Sequence, residues 1–173
     1  PIAEMQFADF IMPAVNQIIS EAARIRYRSN NDWNCPIVIR APYGGGVHGA
    51  LYHSQSIEAI FANQPGLKIV MPSTPYDVKG LLKAAIRDDD PVLFLEHKRA
   101  YRLIKGNVPA DDYVLPIGKA DVKREGEDLT VITYGLCVHL ALQAAEKLEK
   151  DGISVHLLDL RTVYPLDQEA IIE

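Results

Sequence analysis

Residues 67–96 read LKIVMPSTPYDVKGLLKAAIRDDDPVLFLE, and this stretch decides the fold. LKIVM (67–71) and PVLFLE (91–96) are short apolar runs of strand length, and LLKAAI between them carries apolar residues at helical spacing. Thr74 is placed to cap the helix, Pro75 occupies the first helical position, where a missing N–H costs least, and Asp77 follows three residues after the cap. Strands joined through a helix pair in parallel, and parallel strands are covered by helices on both faces. The stretch predicts an α/β protein.

Upstream, SIEAIFAN (56–63) has a hydroxyl at its start and Pro65-Gly66 as a stop, so it reads as a short helix capped by Ser56. PIVIRA (36–41) is a buried-strand candidate, preceded by the turn residues SNNDWN (29–34). From Asp9 to about Arg28, apolar residues recur at three and four, which predicts one long amphipathic helix with Pro13 in its first turn. PIAEMQF (1–7) alternates like a strand. The chain opens at Pro1 within that strand-like run and closes at Glu173 within the helix-like DQEAIIE, so a piece of a longer polypeptide is expected. No signal peptide is visible.

Downstream, Lys98 to Pro116 has two prolines, an acidic pair and no helical period, and reads as an interdomain linker over 98–116. Beyond it, Lys119–Lys123 is an edge-strand candidate, DLTVITYG a buried strand, Val138–Leu148 a helix, ISVHLLDL a strand, and Leu166 onward the start of a helix. The expected organisation is a first α/β domain over 1–97 and a second beginning at 117 and running to 173. No internal repeat or low-complexity tract is present.

An apolar share of 48% and a charged share of 24% are those of an ordinary globular protein, and no apolar run approaches the ~20 residues that span a bilayer. A net charge of -5 gives no electrostatic reason to bind nucleic acid. Cys35 and Cys137 lack a CxxC pattern, so neither a disulfide framework nor a zinc site is indicated, and both read as buried structural thiols.

The chemistry concentrates in RAPYGGGVHGALYHSQS (40–56), between a strand and a helix, the position where α/β proteins place their sites. GGGVHG lacks the Lys-Ser/Thr pair of a phosphate-cradling P-loop, and its glycines lack the spacing of a dinucleotide fingerprint. His48 and His53 are five residues apart with no carboxylate between, a poor metal pair; as groups titrating near neutrality they suit proton transfer better. A glycine-rich turn with structural histidines is an equal alternative on residue chemistry alone. Asp88–Asp90 follow the C-terminus of a helix, where carbonyls and the helix dipole disfavour carboxylates by roughly 0.3–1 kcal/mol and a cation would relieve them. A solvated acidic turn is the simpler alternative. Arg24, Arg26 and Arg28 read as a solvated helix face or as a contact with an acidic partner.

QFADF (6–10), PAVNQIISEAARIRYRS (13–29), APYGGGVHGALYHSQS (41–56), the stretch 65–96 and VHLLDLRTVYPLD (155–167) together resemble the β subunit of the thiamine-diphosphate-dependent 2-oxo acid dehydrogenases. HGALYHSQS is more similar to the branched-chain (2-oxoisovalerate) branch than to the pyruvate branch. The resemblance implies a thiamine-diphosphate-binding fold, in which a pyrimidine-binding domain is followed by the start of a transketolase C-terminal-like domain. It implies oxidative decarboxylation of 2-oxo acids with reductive acylation of lipoyl groups. The implied partners are an α subunit holding the diphosphate and its magnesium, a second β subunit, and a lipoyl-bearing dihydrolipoyl acyltransferase. The glutamate that activates the aminopyrimidine is implied upstream of Pro1, leaving residues 1–173 inactive by themselves. Carried onto this sequence, His53 is the implied proton donor to the lipoyl dithiolane and Phe10 the aromatic position beside the aminopyrimidine, while His48 has no assigned role. Main-chain oxygens at Ile37, Val38, Ala85, Asp88 and Asp90 are the implied ligands of a potassium ion. The implied location is cytoplasmic in a bacterium or the mitochondrial matrix in a eukaryote. A pyruvate or acetoin dehydrogenase β subunit and a non-catalytic α/β binding or assembly module are the alternatives.

Overall fold

A computed structural model describes all residues, Pro1–Glu173. In the first half, β1 (Ile2–Glu4), β2 (Val38–Tyr43), β3 (Lys68–Val70) and β4 (Val92–His97) form a parallel sheet in the order β1-β2-β4-β3. The short α1 (Ile25–Arg28) and α2 (Glu58–Phe61) lie in the crossovers before β2 and β3, and α3 (Pro75–Arg87) connects β3 to β4. The alternation along β2 and β4 divides the core. Ile39, Ala41, Leu93 and Leu95 pack with Ile11, Ile18 and Phe61 on one face, whereas Val38, Val92 and Phe94 pack with Leu81 and Ala85 of α3 on the other.

The cap of α3 is formed as its sequence predicts: Thr74 Oγ1 accepts from the Asp77 N–H at 3.1 Å and donates to Asp77 Oδ2 at 2.5 Å. Two other helical expectations are corrected. The run from Asp9 to Arg28 is helical but not one α-helix; it opens as a 3-10 segment over Ala8–Ala14, passes through a π segment over Gln17–Ala22 and closes in α1. Pro13 has no N–H to give the α-ladder and its ring crowds the carbonyl four residues back, which accounts for the break in the first segment. Ser56 does not cap α2, whose N-cap is Ile57 without a side-chain bond; burial of Ile57 and Phe61 fixes this turn instead. Cys35 is only half-buried and Cys137 is exposed, so neither belongs to the core.

After β4, α4 (Ala100–Leu103) makes a single turn and the chain then crosses α3. Lys79 donates to the carbonyls of Pro109 and Asp111, Tyr113 stacks on Tyr76 with ring centres 4.5 Å apart, and the Leu115 N–H donates to Gly80 O at 3.2 Å. The second half contains β5 (Asp121–Arg124), β6 (Leu129–Thr133), α5 (Leu136–Leu148), β7 (Val155–Asp159), β8 (Thr162–Tyr164) and α6 (Gln168–Ile172). β5, β7 and β6 form a second sheet, with β5 an antiparallel strand at its edge, where the sequence places an edge-strand candidate over Lys119–Lys123. β8, to which the sequence reading assigns no element, leaves this sheet and pairs antiparallel with β3.

The two halves also meet through a buried ionic cluster. Arg161 Nη2 lies 2.6 Å from Asp77 Oδ1 and 2.9 Å from Asp121 Oδ2. Lys123 Nζ lies 3.1 Å from Asp77 and 2.6 Å from Asp121, and Ser73 Oγ donates to Asp159 Oδ2 at 2.5 Å. Burial works to raise the Asp77 carboxyl, but the Thr74 hydroxyl, Lys123 and Arg161 outweigh it and hold Asp77 below the ordinary aspartate range. Asp159, with fewer partners, is pushed up by its burial.

Candidate functional site at the carboxyl end of the first sheet

β2 runs directly into the glycine-rich loop, so that loop lies beyond the carboxyl ends of the parallel strands. Backbone in the left-handed region at Gly44, Gly46, His48 and Ala50 folds it back on itself. It ends in a 3-10 turn over Leu51–His53. Gly49 is needed where it stands, because a Cβ there would lie 2.6 Å from the Cβ of His53. The Gly49 carbonyl is 2.9 Å from His53 Nδ1 and can only accept, so Nδ1 carries a proton and Nε2 is the nitrogen left for chemistry.

The imidazole of His53 is held by two aromatic rings from the chain following β1. The Phe7 ring centre is 4.5 Å away and that of Phe10 5.8 Å, both edge-on, and the two phenyl rings meet at 5.9 Å. Phe10 is 42% exposed, so part of this apolar side chain remains open to solvent beside His53. His48 stays in the exposed part of the loop at positive φ and joins no ring of this cluster.

Three residues not singled out in the sequence complete the site. Phe7 supplies the nearer ring. Asp9 is buried, and its Oδ1 accepts from the Ser54 N–H at 3.2 Å and the Gln55 N–H at 3.3 Å. Lys98, directly after β4, is buried with its ammonium 5.1 Å from the centre of the Phe7 ring. Burial lowers its pKa, an effect the charge of Asp9 partly offsets. On the α3 face of the sheet lies a separate cavity of about 420 Å³. Its floor is a bidentate Arg40–Glu96 pair with both bonds at 2.8 Å, on which Tyr101 OH also bonds Glu96 Oε2 at 2.5 Å.

The residues expected at a cation lie elsewhere. Ile37 directly precedes β2 and Val38 begins it, and Asp88 and Asp90 precede β4, so this group sits at the amino ends of the strands, opposite His53 and Phe10. Ile37 O accepts from the Val92 N–H at 2.9 Å, and Ala85 O from the Asp88 N–H at 3.4 Å. The carboxylate of Asp88 is bound by Lys68 Nζ at 2.6 Å, and that of Asp90 by Arg26 Nε at 2.5 Å. Protein cations therefore answer the carboxylates at this helix end, and any added cation would be left to main-chain oxygens. No group of three or more His, Cys, Asp or Glu side chains could hold a metal.

Residues 1–104 match the family described as transketolase, pyrimidine binding domain. The chain belongs to that family. Residues 118–173 match the transketolase C-terminal domain family, so the second sheet and α5 belong to a transketolase C-terminal domain. The whole chain is 90% identical over 173 residues to the 2-oxoisovalerate dehydrogenase subunit beta of Bacillus subtilis (strain 168), covering 53% of that protein. It is 54% identical over 172 residues to the pyruvate dehydrogenase E1 component subunit beta of the same organism, covering 99% of this chain and 53% of that one. The chain thus spans about half the length of the curated relatives it matches. Among solved structures, a split-gene transketolase described as an inactive β4 tetramer superposes with a TM-score of 0.76 at 25% identity, over 99% of this chain and 52% of the other. The α/β pyrimidine-binding fold is shared with transketolase.

Proposed function

We propose that these residues form part of the β subunit of a branched-chain 2-oxo acid dehydrogenase, acting with an α subunit in the oxidative decarboxylation of 2-oxoisovalerate-type acids and the acylation of a lipoyl group. The 90% identity along all 173 residues to a 2-oxoisovalerate dehydrogenase β subunit carries this reading, against 54% for the pyruvate enzyme. A cytoplasmic location accords with that bacterial relative.

The residues present fit the aminopyrimidine half of thiamine diphosphate. Phe10, partly exposed, offers ring surface on which a flat heterocycle can stack. When bound, thiamine diphosphate supplies the carbon nucleophile that makes decarboxylation of a 2-oxo acid possible. The edge-on rings of Phe7 and Phe10 fix the imidazole of His53. With Nδ1 committed to Gly49, the imidazolium form presents its Nε2 proton outward, where a dithiolane sulfur can take it as the sulfur–sulfur bond opens. Magnesium belongs with the diphosphate on the α subunit. Potassium would be held at the other end of the sheet by the carbonyls of Ile37, Val38, Ala85, Asp88 and Asp90, leaving the carboxylates to Lys68 and Arg26. A second β subunit and a lipoyl-bearing acyltransferase complete the partners of this reading.

The full-length chain, purified with its α subunit, thiamine diphosphate and magnesium, should decarboxylate 3-methyl-2-oxobutanoate faster than pyruvate. His53→Ala should impair acyl transfer to a lipoyl domain more than decarboxylation measured with an artificial electron acceptor. Equal loss of both steps would reject the role given to His53, and absence of any cofactor-dependent turnover would favour a binding module.

A further inference from the structure

The His53 cluster rests on two buried charges that the proposed reaction does not use. Asp9 is 8% exposed and Lys98 is 7% exposed; Asp9 Oδ2 and Lys98 Nζ have no hydrogen-bond partner. Leaving buried polar atoms unpaired typically costs 1–3 kcal/mol each, more for charged groups, so such atoms persist where the arrangement serves a purpose. Asp9 touches the His53 segment directly, and Lys98 reaches it through Phe7. Asp9 Oδ1 collects the N–H groups of Ser54 and Gln55, the two residues that follow His53. Lys98 sets its ammonium against the face of Phe7, the ring nearest the imidazole. The Lys98 N–H also donates to Tyr43 O at 3.0 Å, which ties the end of β4 to the end of β2, where the loop begins.

We propose that Asp9 and Lys98 are positioning residues for His53: Asp9 fixes the backbone that follows it, and Lys98 fixes the Phe7 ring that orients its imidazole. The charge of Asp9 partly offsets the burial of Lys98. Asp9 comes from the 3-10 segment after β1, His53 from the loop after β2, and Lys98 from the end of β4. Three strand ends therefore converge on one side chain. The acceptor of the proton, a lipoyl dithiolane, follows from the function proposed above, and the inference about its transfer rests on that reading.

The test uses the full-length protein assembled with its α subunit and thiamine diphosphate. Amide exchange is read on the peptide containing Ser54 and Gln55, and turnover is read separately for decarboxylation and for acylation of a lipoyl domain. Asp9→Ala should speed exchange at those amides and lower acylation on the order of 10–100-fold, a larger loss than that of decarboxylation. Asp9→Asn keeps the Oδ1 acceptor and should restore amide protection. Lys98→Met keeps the aliphatic stem and should lower acylation without changing protection, since it acts on the ring and not the backbone. Wild-type exchange and acylation in Asp9→Ala would overturn the proposal. Where Asp9→Ala does not assemble, Asp9→Asn and Lys98→Met decide, and equal loss of both steps in either overturns it. His53→Ala in parallel separates the two ideas: if it leaves acylation intact, the assigned chemistry fails, whereas faster exchange in Asp9→Ala still upholds the positioning of the segment.

Discussion

Arg161 Nη2 lies 2.6 Å from Asp77 Oδ1, joining the strand-end turn of the second half to the first turn of α3 in the first. Arg161 is held there in left-handed backbone, at φ 55°, an unfavourable conformation for a residue with a Cβ. Arg161→Met should destabilise the folded protein by about 3–5 kcal/mol, because the buried Asp77 loses a cation partner. Urea unfolding of the full-length protein checks this, with the expectation that Asp77→Asn in the Arg161→Met background recovers part of the loss.

The Thr74 hydroxyl makes two bonds to Asp77, accepting its N–H as a cap and donating to its Oδ2. Thr74→Ala should cost about 1 kcal/mol of stability from the cap alone. Thr74→Ser should cost far less. Denaturant midpoints at neutral pH compare the two. Because Asp77 is held below the ordinary aspartate range in the folded state, its contribution is present at neutral pH and is lost as pH falls below about 4.

Lys98 gives a slope of the same sign in a more alkaline window. Its folded-state pKa lies below the ordinary lysine value, so between the two values the unfolded chain binds more protons than the folded one. Stability therefore rises with pH through that window, and the charged ammonium is a net burden below it. Lys98→Met should flatten this slope and raise the melting temperature by a few degrees, corresponding to about 1 kcal/mol. A calorimetric pH series on both proteins measures it. Higher stability with poorer acyl transfer is the expected pairing for a group retained for function.

Gly66 sits at φ 88°, with its α-carbon against the Ala23 carbonyl. Gly66→Ala adds a methyl that meets backbone, which cannot swing aside, and places an L-residue in the left-handed region. A loss of roughly 1–3 kcal/mol from the conformation alone is expected, with the clash adding to it. Thermal unfolding checks the total, and a variant as stable as the parent would contradict the geometry.

The α/β order, α3 with its cap, and the edge position of β5 are legible in the chain because local spacing and turn chemistry specify them. The helical run over 8–28 is misread as one α-helix because periodicity reports which side is apolar, not which hydrogen-bond ladder is closed. His53 and Phe10 are found through family resemblance, and the fold brings them together. Asp9 and Lys98 escape notice because their meaning lies in partners far away in sequence: Asp9 bonds residues 45 and 46 positions on. No local pattern marks such a residue, and Lys98 looks like the first residue of a linker.

β8 adds its antiparallel strand to the free side of β3 only after more than a hundred and fifty residues have been made. On a ribosome, the first sheet therefore emerges with an unpaired strand edge and waits for a distant segment to close it. Open edges recruit other strands. Cutting the chain near residue 104 to isolate the pyrimidine-binding part would leave that edge uncovered for good, and the isolated part should self-associate until Thr162–Tyr164 is returned to it, in cis or as an added peptide.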